Sequence, residues 1–503
     1  MNIKRAKEEI KDTIEAYLCK DEDGEYVIPS IRQRPVLLIG APGIGKTQIM
    51  EQIARECQIG LVSYTITHHT RQSAIGLPFI THQEFGGKEY SITEYTMSEI
   101  VASVYEKIKK TGLPEGILFI DEVNCVSETL APAMLQFLQC KTFGNHAIPK
   151  GWIIVAAGNP PEYNKSVREF DVVTLDRVKR IEVEPEYQVW KEYALREEIH
   201  PAIISYLDTR GQYFYKMETT VDGKRFATPR GWEDLSRLIS VYEQLGKPVD
   251  WEVVIQYIQH EKIAKDFSNY LELYRKYRLD YQLDEIFTGH ISERLVRKAQ
   301  NASFDEKLGV ISLLLRRCTE AFHGVCFHEE VMKLLFENLK LLKEGLYGAH
   351  NRQPLIYMRN ICETFAEEWE QKREAELLNR EGNRGYKKAF ELLESYEKAL
   401  ILEDVSDGEA AFLKIRELFG EEKTALAAER ASAGELLECA FDFMEAAFGE
   451  SQEMVLFVTE LNANYYSVQF LGTYECERYY YYNQSLLFEE GSRAIEAKLD
   501  ELL

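Results

Sequence analysis

A glycine-rich segment that ends in lysine and threonine carries the most specific chemical signal in the chain. It runs Gly40-Ala-Pro-Gly-Ile-Gly-Lys46-Thr47 and matches G-x-x-x-x-G-K-[ST], after a short apolar run and before a helical pattern. The glycines let backbone N–H groups surround a phosphate, and the start of the following helix favours an anion. The lysine adds charge beside the β- and γ-phosphates, and the threonine offers its hydroxyl to Mg²⁺. We assign nucleotide binding to Gly40, Ala41, Pro42, Gly43, Ile44, Gly45, Lys46, Thr47 and Gln48.

Two carboxylates follow the apolar run Ile117–Ile120, where a buried strand is predicted. Ligand sites of open α/β sheets lie at the carboxyl ends of their strands. There, Asp121 can bind Mg²⁺ directly or through water, and Glu122 can orient and polarise the attacking water. An acidic pair at a strand end is a weak signal by itself, but downstream of a phosphate loop it predicts hydrolytic chemistry.

An asparagine, Asn159, follows another apolar run, Trp152–Ala157, and is itself followed by two prolines. The side-chain amide of Asn159 can contact both a γ-phosphate and the attacking water. A turn-forming asparagine before proline is the alternative, and we would favour it if the segment stood alone.

Short apolar runs separated by helical patterns predict a parallel sheet that is covered on both faces. The runs are Pro35–Ile39, Leu61–Ile66, Ile117–Ile120 and Trp152–Ala157. An amphipathic pattern predicts a helix over about Ile3–Leu18, and the pattern is helical again after about Arg180.

The segment between the second and third runs is long, and residues 76–97 within it can form a hairpin. Phe79–Thr81 and Glu89–Ile92 would pair around Gly86-Gly87, a favourable turn. A mobile surface loop is an equally good interpretation. At the tip of the predicted hairpin, Phe85-Gly86-Gly87 could grip a substrate chain, and an ordinary turn is an equally good interpretation.

The order of these motifs resembles that of the AAA+ ATPases, and within them the MoxR group. A phosphate loop, an Asp-Glu strand end and a strand ending in asparagine follow one another as in that family. By the same resemblance, Thr174-Leu-Asp-Arg177 carries the arginine finger, and Thr228-Pro-Arg230 carries the second sensor on a lid helix. The implied catalytic residues are Glu122, Asn159, Arg177 and Arg230.

Two hairpins in MoxR proteins have possible counterparts in this chain. One is an insert similar to residues 76–97, and the other is similar to Lys141–Lys150 with a turn at Gly144-Asn145. The resemblance covers about residues 1–275. Its catalytic motifs are specific for AAA+ proteins, and the assignment to the MoxR group rests on the inserts and on the contexts of the two arginines.

The chain departs from the MoxR pattern at the arginine finger. Family members often have Asp-Arg-Phe, whereas this chain has Asp176-Arg177-Val178, followed by Lys179 and Arg180. Either arginine can be the finger, and we prefer Arg177; a surface arginine or an ion pair is the ordinary alternative. Because the lid of this group can be repositioned, Arg230 would act on the nucleotide of its own subunit or of a neighbour.

The resemblance implies an α/β AAA+ core, which is a parallel five-stranded sheet with helices on both faces, followed by an α-helical lid and an all-α C-terminal extension. The expected domains are the core over residues 1–190, the lid over 191–275 and the extension over 276–503. ATP and Mg²⁺ are the implied cofactors, with Thr47 and Asp121 as metal ligands. The implied partners are further copies in a homo-oligomeric, hexameric ring and a protein with a von Willebrand factor A domain.

The charge of the chain limits its classes of partner. The 503 residues carry a formal net charge of −23, and a surface this acidic repels nucleic acid and anionic lipid. The apolar runs are too short to cross a bilayer, and Met1–Lys20 has no signal-peptide core. Nine scattered cysteines imply no disulfide framework. We therefore expect a cytoplasmic protein that does not bind membranes and whose main activity is not nucleic-acid binding, although a local basic patch could still exist.

The C-terminal half is helical in pattern and has no motif that names a function. A group of thiol and imidazole side chains lies at Cys318, His323, Cys326 and His328. Their spacing matches no zinc pattern, so buried structural roles are the better interpretation. Tyr479–Tyr482 is expected to pack against a core rather than to form a recognition surface. We expect the segment 68–71, His-His-Thr-Arg, to face a pore or another subunit, with metal or nucleotide binding as the alternative.

Three functions compete at this point. The first is an ATPase that remodels or matures another protein. The second is a binding module whose partner affinity is set by nucleotide, with slow turnover. The third is a nucleic-acid motor, which the acidic charge disfavours. Glu122 and Asn159 favour the first.

Overall fold

Strands of the N-terminal half alternate with helices, as the sequence pattern predicts. The computed structural model describes residues 1–68, 74–143, 145–163, 167, 170, 172–221, 223–348, 354–405 and 407–484, without the side chains of 68 and 346–348. The strands are β1 (Val36–Gly40), β2 (Gly60–Thr65), β3 (Pro78–Phe85), β4 (Lys88–Tyr95), β5 (Gly116–Asp121), β6 (Thr142–Phe143), β7 (His146–Ala147), β8 (Trp152–Gly158), β9 (Lys179–Val183), β10 (Lys216–Thr220) and β11 (Gly223–Ala227).

Helices dominate the rest of the chain. They are α1 (Ile3–Leu18), α2 (Lys46–Cys57), α3 (Glu99–Thr111), α4 (Ala131–Cys140), α5 (Val172–Leu175), α6 (Tyr187–Arg196), α7 (Pro201–Thr209), α8 (Pro229–Gln244), α9 (Trp251–Ile255), α10 (Glu261–Asp280), α11 (Leu283–Phe287), α12 (Glu293–Gln300), α13 (Phe304–Gly348), α14 (Pro354–Glu374), α15 (Arg380–Leu402), α16 (Gly408–Phe448), α17 (Gln452–Ala463) and α18 (Tyr465–Leu471). No helix in the described ranges is both long and apolar enough to span a bilayer.

Two compact units make up the described chain. The first contains Met1–Val189, Thr228–Arg230 and Glu370–Asn379, and the second contains Trp190–Ala227, Gly231–Trp369 and Arg380–Leu503. The three-domain division at residues 190 and 275 stays a prediction.

One five-stranded parallel sheet forms the centre of the first unit, in the order β2-β5-β8-β1-β9. All seven residues of β8 are buried, which explains its continuous apolar sequence. Leu37, Leu118 and Ile154 share a buried cluster with side chains of α3 and α4, whereas their neighbours along each strand point to the opposite face. The predicted core, with a parallel sheet of five strands, is confirmed.

The two predicted hairpins are both present. In residues 76–97, β3 pairs with β4 from Pro78↔Tyr95 to Phe85↔Lys88, so the hairpin interpretation is confirmed over the loop alternative. The shorter hairpin joins β6 to β7, although its turn residue Gly144 lies outside the described residues. Both strands of the longer hairpin are largely exposed.

A third hairpin corrects the expectation of continuous helix after about Arg180. Strand β9 continues to Val183, and β10 pairs with β11 between α7 and α8. Two β-branched residues, Thr219 and Thr220, end β10, and the sequence Asp222-Gly223 that follows is typical of a hairpin turn, a signal that a purely helical interpretation overlooks. In the described residues that follow Gln244, the regular structure is helical, which confirms the helical C-terminal region.

In the second unit, side chains that stood out in the sequence have hydrogen-bond partners within the fold. His323 contacts the carboxylates of Glu198 and Glu381, at 3.0 and 2.7 Å, and these bonds raise its pKa to about 9. Among the described residues, no group of three or more histidine, cysteine or acidic side chains is placed to hold a metal ion. The hydroxyls of Tyr479, Tyr480 and Tyr482 bond to neighbouring helices, and that of Tyr481 bonds to Glu450 in a loop. Tyr479 is buried, as predicted, but Tyr480 and Tyr481 are 44% and 57% exposed, so the expectation that all four pack against a core is wrong for these two.

A buried lysine joins three helices of this unit. Lys191 of α6 is 8% exposed at its side chain, and its ammonium donates to Asp208 of α7 at 2.7 Å and to Glu460 of α17. Burial raises the pKa of Glu460. The ammonium therefore separates two carboxylates that water reaches poorly.

We predict that Lys191→Ala lowers the free energy of unfolding by about 3 kcal/mol, because it leaves two acidic groups together without their cation. The matched control is Lys265→Ala, which removes an exposed pair with Glu261 and should cost no more than about 0.5 kcal/mol. Urea unfolding followed by helical circular dichroism measures both changes. Equal, small effects of the two variants would contradict the prediction.

Candidate nucleotide site

The phosphate loop joins the end of β1 to the start of α2. Gly43 and Gly45 have φ values of 76° and 91°, a left-handed conformation that suits glycine. Gly40 is required for space, since a Cβ there would lie 2.8 Å from the Val183 carbonyl oxygen. The glycines that suggested a phosphate loop therefore adopt the backbone such a loop needs.

The Lys46 ammonium is the central cation of the loop. It donates to the carbonyl oxygens of Gly40 and Ala41, both at 2.8 Å, and to Asn159 Oδ1 at 2.9 Å. Burial lowers its pKa to about 8, although Asp121 and Glu122 partly oppose this effect. The amine is thus held among neutral oxygens, in a place where an anion would stabilise its charge.

A hydroxyl and a carboxylate meet beside the loop. Thr47 Oγ1 donates to Asp121 Oδ2 at 3.3 Å, although the two residues are far apart in sequence. Mg²⁺ prefers oxygen ligands and is usually held by one or two protein groups together with phosphate and water. The pair fits that donor set.

Glu122 occupies a strained position at the end of β5. Its φ is 56°, its backbone N–H donates to Asp121 Oδ1 at 2.8 Å, and its Oε2 accepts from Thr67 Oγ1 at 3.0 Å. Thr67 is a neighbour that the sequence analysis did not identify. In the sequence, Thr67 is distinguished only by its position two residues after β2, whose last residue, Thr65, pairs with Asp121 in the sheet.

The three arginines have different surroundings. The backbone N–H of Arg230 donates to the Gly43 carbonyl at 3.2 Å, and the positive charge of Arg230 contributes to the lowered pKa of Lys46. Arg177 is exposed and donates to Gln139, and Arg180 pairs with Glu182 on its own strand. Arg230 therefore lies beside the phosphate loop of its own chain, whereas the contacts of the other two lead elsewhere.

The remaining predicted residues complete the loop. Ala41 and Ile44 are buried, and Pro42 and Gln48 are half-buried. His69–Arg71 and the side chain of His68 lie outside the described residues, so the role expected for that segment stays a prediction. The structure thus brings together the loop, Asp121, Glu122 and Asn159 at one edge of the sheet.

Comparison with known families agrees with this geometry. Residues 36–175 match the model of the AAA family, the ATPases associated with various cellular activities. These residues are an AAA ATPase domain. The match includes the phosphate loop, both carboxylates and Asn159, and it ends before Arg177.

Comparisons with curated proteins and with solved structures do not extend this assignment. No curated protein matches the chain. A solved structure of a candidate ATPase from Cytophaga hutchinsonii is 17% identical, with a TM-score of 0.23, over 39% of this chain and 56% of that one. The assignment of an ATP-hydrolase domain therefore rests on the family match and on the arrangement of the loop and carboxylates.

We predict that nucleotide binding to the AAA domain takes up protons near pH 8. The pKa of Lys46 is about 8 without ligand, and an adjacent phosphate raises it, so binding at pH 8 should take up about half a proton per site. At pH 6.5 the amine is already charged and uptake should be small, while affinity should fall as the pH rises from 7 to 9.

Calorimetry with ADP in two buffers of different ionisation enthalpy measures this proton uptake. Lys46→Arg keeps its charge throughout this range and should lose the pH dependence. Uptake that is the same at pH 6.5 and pH 8 would show that Lys46 does not titrate in this range.

Proposed function

We propose that this protein is a cytoplasmic, ring-forming AAA+ ATPase of the MoxR type, which couples hydrolysis of Mg-ATP to the remodelling or maturation of a protein partner. The observation that carries the proposal is the convergence of Lys46, Thr47, Asp121, Glu122 and Asn159 at the carboxyl edge of the sheet. These groups supply the parts that phosphoryl transfer to water needs, namely phosphate binding, metal binding and positioning of water.

Phosphate binding falls to the loop and to Lys46. The ammonium exchanges its bonds with the loop carbonyls for bonds to the β- and γ-phosphates, while loop N–H groups and the start of α2 hold the other oxygens. Thr47 and Asp121 would hold Mg²⁺, which neutralises charge that develops on the phosphates.

Positioning of the attacking water falls to Glu122 and Asn159. The Glu122 carboxylate accepts the proton of the water as the water oxygen bonds to the γ-phosphorus, while the bond from that phosphorus to the bridging oxygen breaks and ADP leaves. The hydrogen bond from Thr67 orients the carboxylate. The Asn159 amide lies beside Lys46 and can contact both the γ-phosphate and the water. Arg230 of the same chain would add positive charge at the loop.

The arginine finger would come from a neighbouring subunit. Arg177 is exposed and bonded to Gln139 rather than to the loop, which suits a residue that serves another copy of the chain. Arg180 is paired with Glu182 on its own strand, and this favours Arg177 of the two. By analogy with AAA+ rings we propose a hexamer.

Partner contact would involve the β3–β4 hairpin. The hairpin exposes large apolar side chains, namely Phe79, Ile80, Phe85 and Tyr90. An isolated two-stranded ribbon is marginally stable in water, and such side chains are typical of interaction surfaces. By resemblance to MoxR systems, the partner would carry a von Willebrand factor A domain, and the helical C-terminal region would contribute further contacts.

We predict that Lys46→Ala abolishes nucleotide binding and that Glu122→Gln binds ATP without turning it over. The first variant removes the cation of the loop, and the second removes the base while keeping the shape of the side chain. A fluorescent nucleotide measures binding, and steady-state phosphate release measures turnover. Normal hydrolysis by Glu122→Gln would remove Glu122 from this role.

The same phosphate-release assay separates the competing functions. Slow turnover that stays slow when a partner is added would favour the binding module. Stimulation of phosphate release by DNA that weakens as salt is added would instead favour the nucleic-acid motor.

We predict that Arg177→Ala and Lys46→Ala subunits, each inactive alone, regain part of the activity when mixed. An intact loop in one subunit would then face an intact arginine in the next, and a finger in trans is worth ~10³–10⁵ in rate. Arg180→Ala is the matched control and should retain more activity than Arg177→Ala. Failure of rescue in rings shown by native mass spectrometry to be mixed would argue against a finger in trans.

A further inference from the structure

A buried asparagine connects the two strand ends that position the attacking water. Asn124 follows Glu122 by two residues, is 5% exposed, and donates from Nδ2 to the carbonyl oxygen of Asn159 at 2.8 Å. The turn is closed by a bond from the Cys125 N–H to the Glu122 carbonyl at 2.8 Å. One short turn of chain therefore carries both Glu122 and the amide that holds Asn159.

The residue beside Asn159 is shaped to this amide. A Cβ on Gly158 would lie 2.6 Å from Asn124 Oδ1 and 2.8 Å from its Cγ. Gly158 does not have a positive φ, so glycine is needed here for space and not for backbone freedom. The end of β8 and the turn after β5 therefore fit together only if residue 158 has no side chain to displace that of Asn124.

The side-chain oxygen of Asn124 is unsatisfied, because this Oδ1 atom is buried and has no hydrogen-bond partner among the described residues. A buried oxygen without a partner destabilises the fold, so this side chain is a poor choice for stability alone. Its contribution lies instead in the bond that it donates to Asn159.

We propose that Asn124 is a positioning residue for hydrolysis, which sets the distance between the Glu122 carboxylate and the Asn159 amide. The inference rests on the proposed ATPase function and deepens it. A second bond, from the Val123 N–H to the Ala157 carbonyl at 2.9 Å, holds the turn to β8, and the Asn124 bond sets the direction in which the chain leaves that strand. Nucleotide binding depends on the loop and Lys46, so loss of this bond should affect turnover and leave affinity nearly unchanged.

Asn124→Leu tests this role, because leucine has nearly the same branched shape but neither donates nor accepts a hydrogen bond. We expect kcat to fall about 10-fold to 100-fold, since small displacements of positioning groups have effects of this size. The dissociation constant for ADP, which has no γ-phosphate for the Asn159 amide to contact, should change by less than about two-fold. The unfolding midpoint should change little, because removal of the unsatisfied oxygen offsets loss of the donor to the Asn159 carbonyl. Asn338→Leu, on α13 of the second unit, makes the same chemical change in a residue that is not part of the site and should leave kcat unchanged.

Variants at Gly158 and Asn124 distinguish the effect of the hydrogen bond on kcat from the effect of close packing. Gly158→Ala alone should lower kcat, because its methyl group displaces the amide. In Gly158→Ala combined with Asn124→Ala, the space is restored but the bond is still missing, so kcat should stay as low as in Asn124→Ala. If the double variant recovers the wild-type rate, only packing matters and the positioning role is refuted.

The wild-type protein, assayed alongside, separates failure of this inference from failure of the proposed function. If the wild type hydrolyses ATP and Asn124→Leu does so at the same rate with a normal melting curve, the positioning role is wrong and the ATPase stands. A wild type that binds no ATP and releases no phosphate would overturn both.

Discussion

A buried positive charge at the end of β1 is the constraint on which the site depends. The Lys46 ammonium is removed from water and surrounded by two loop carbonyls and an amide oxygen, which compensate its charge only in part. Burying a cation in this way costs free energy unless an anion joins it. An anion bound at the loop would recover this free energy, and the left-handed glycines of the loop leave no side chain in the space beside Lys46.

The order of strands in the sheet turns three distant segments into one site. Because β8 lies between β5 and β1, the carboxylates after β5 and the asparagine after β8 line up with the loop after β1. Parallel strands all end at the same edge, so each segment contributes its polar residues there while its apolar residues stay in the core. Strand β2 pairs with β5 on the side opposite β8, and Thr67, which follows β2, donates a hydrogen bond to Glu122.

The second unit uses charge in a different way. Lys191 and His323 each lie between two carboxylates from other segments of the chain, so these cations are satisfied within the fold and have no evident need of a ligand. Such groups specify which helices pack together, in contrast to Lys46, whose partners are neutral. In the first unit, the β3–β4 hairpin exposes the large apolar side chains of Phe79, Ile80, Phe85 and Tyr90.

The sequence by itself determined the parts of the site that depend on local backbone and on strand periodicity. The loop Gly40–Thr47, the carboxylates Asp121 and Glu122, and the apolar runs of the sheet could be predicted because each is encoded within a few adjacent residues. Only the tertiary structure decided that residues 76–97 pair as a hairpin, that β10 and β11 interrupt the helical stretch, and that Thr67 and Asn124 reach Glu122 and Asn159. These contacts join residues that are far apart in the chain, and they form only where the order and register of the strands bring the ends together.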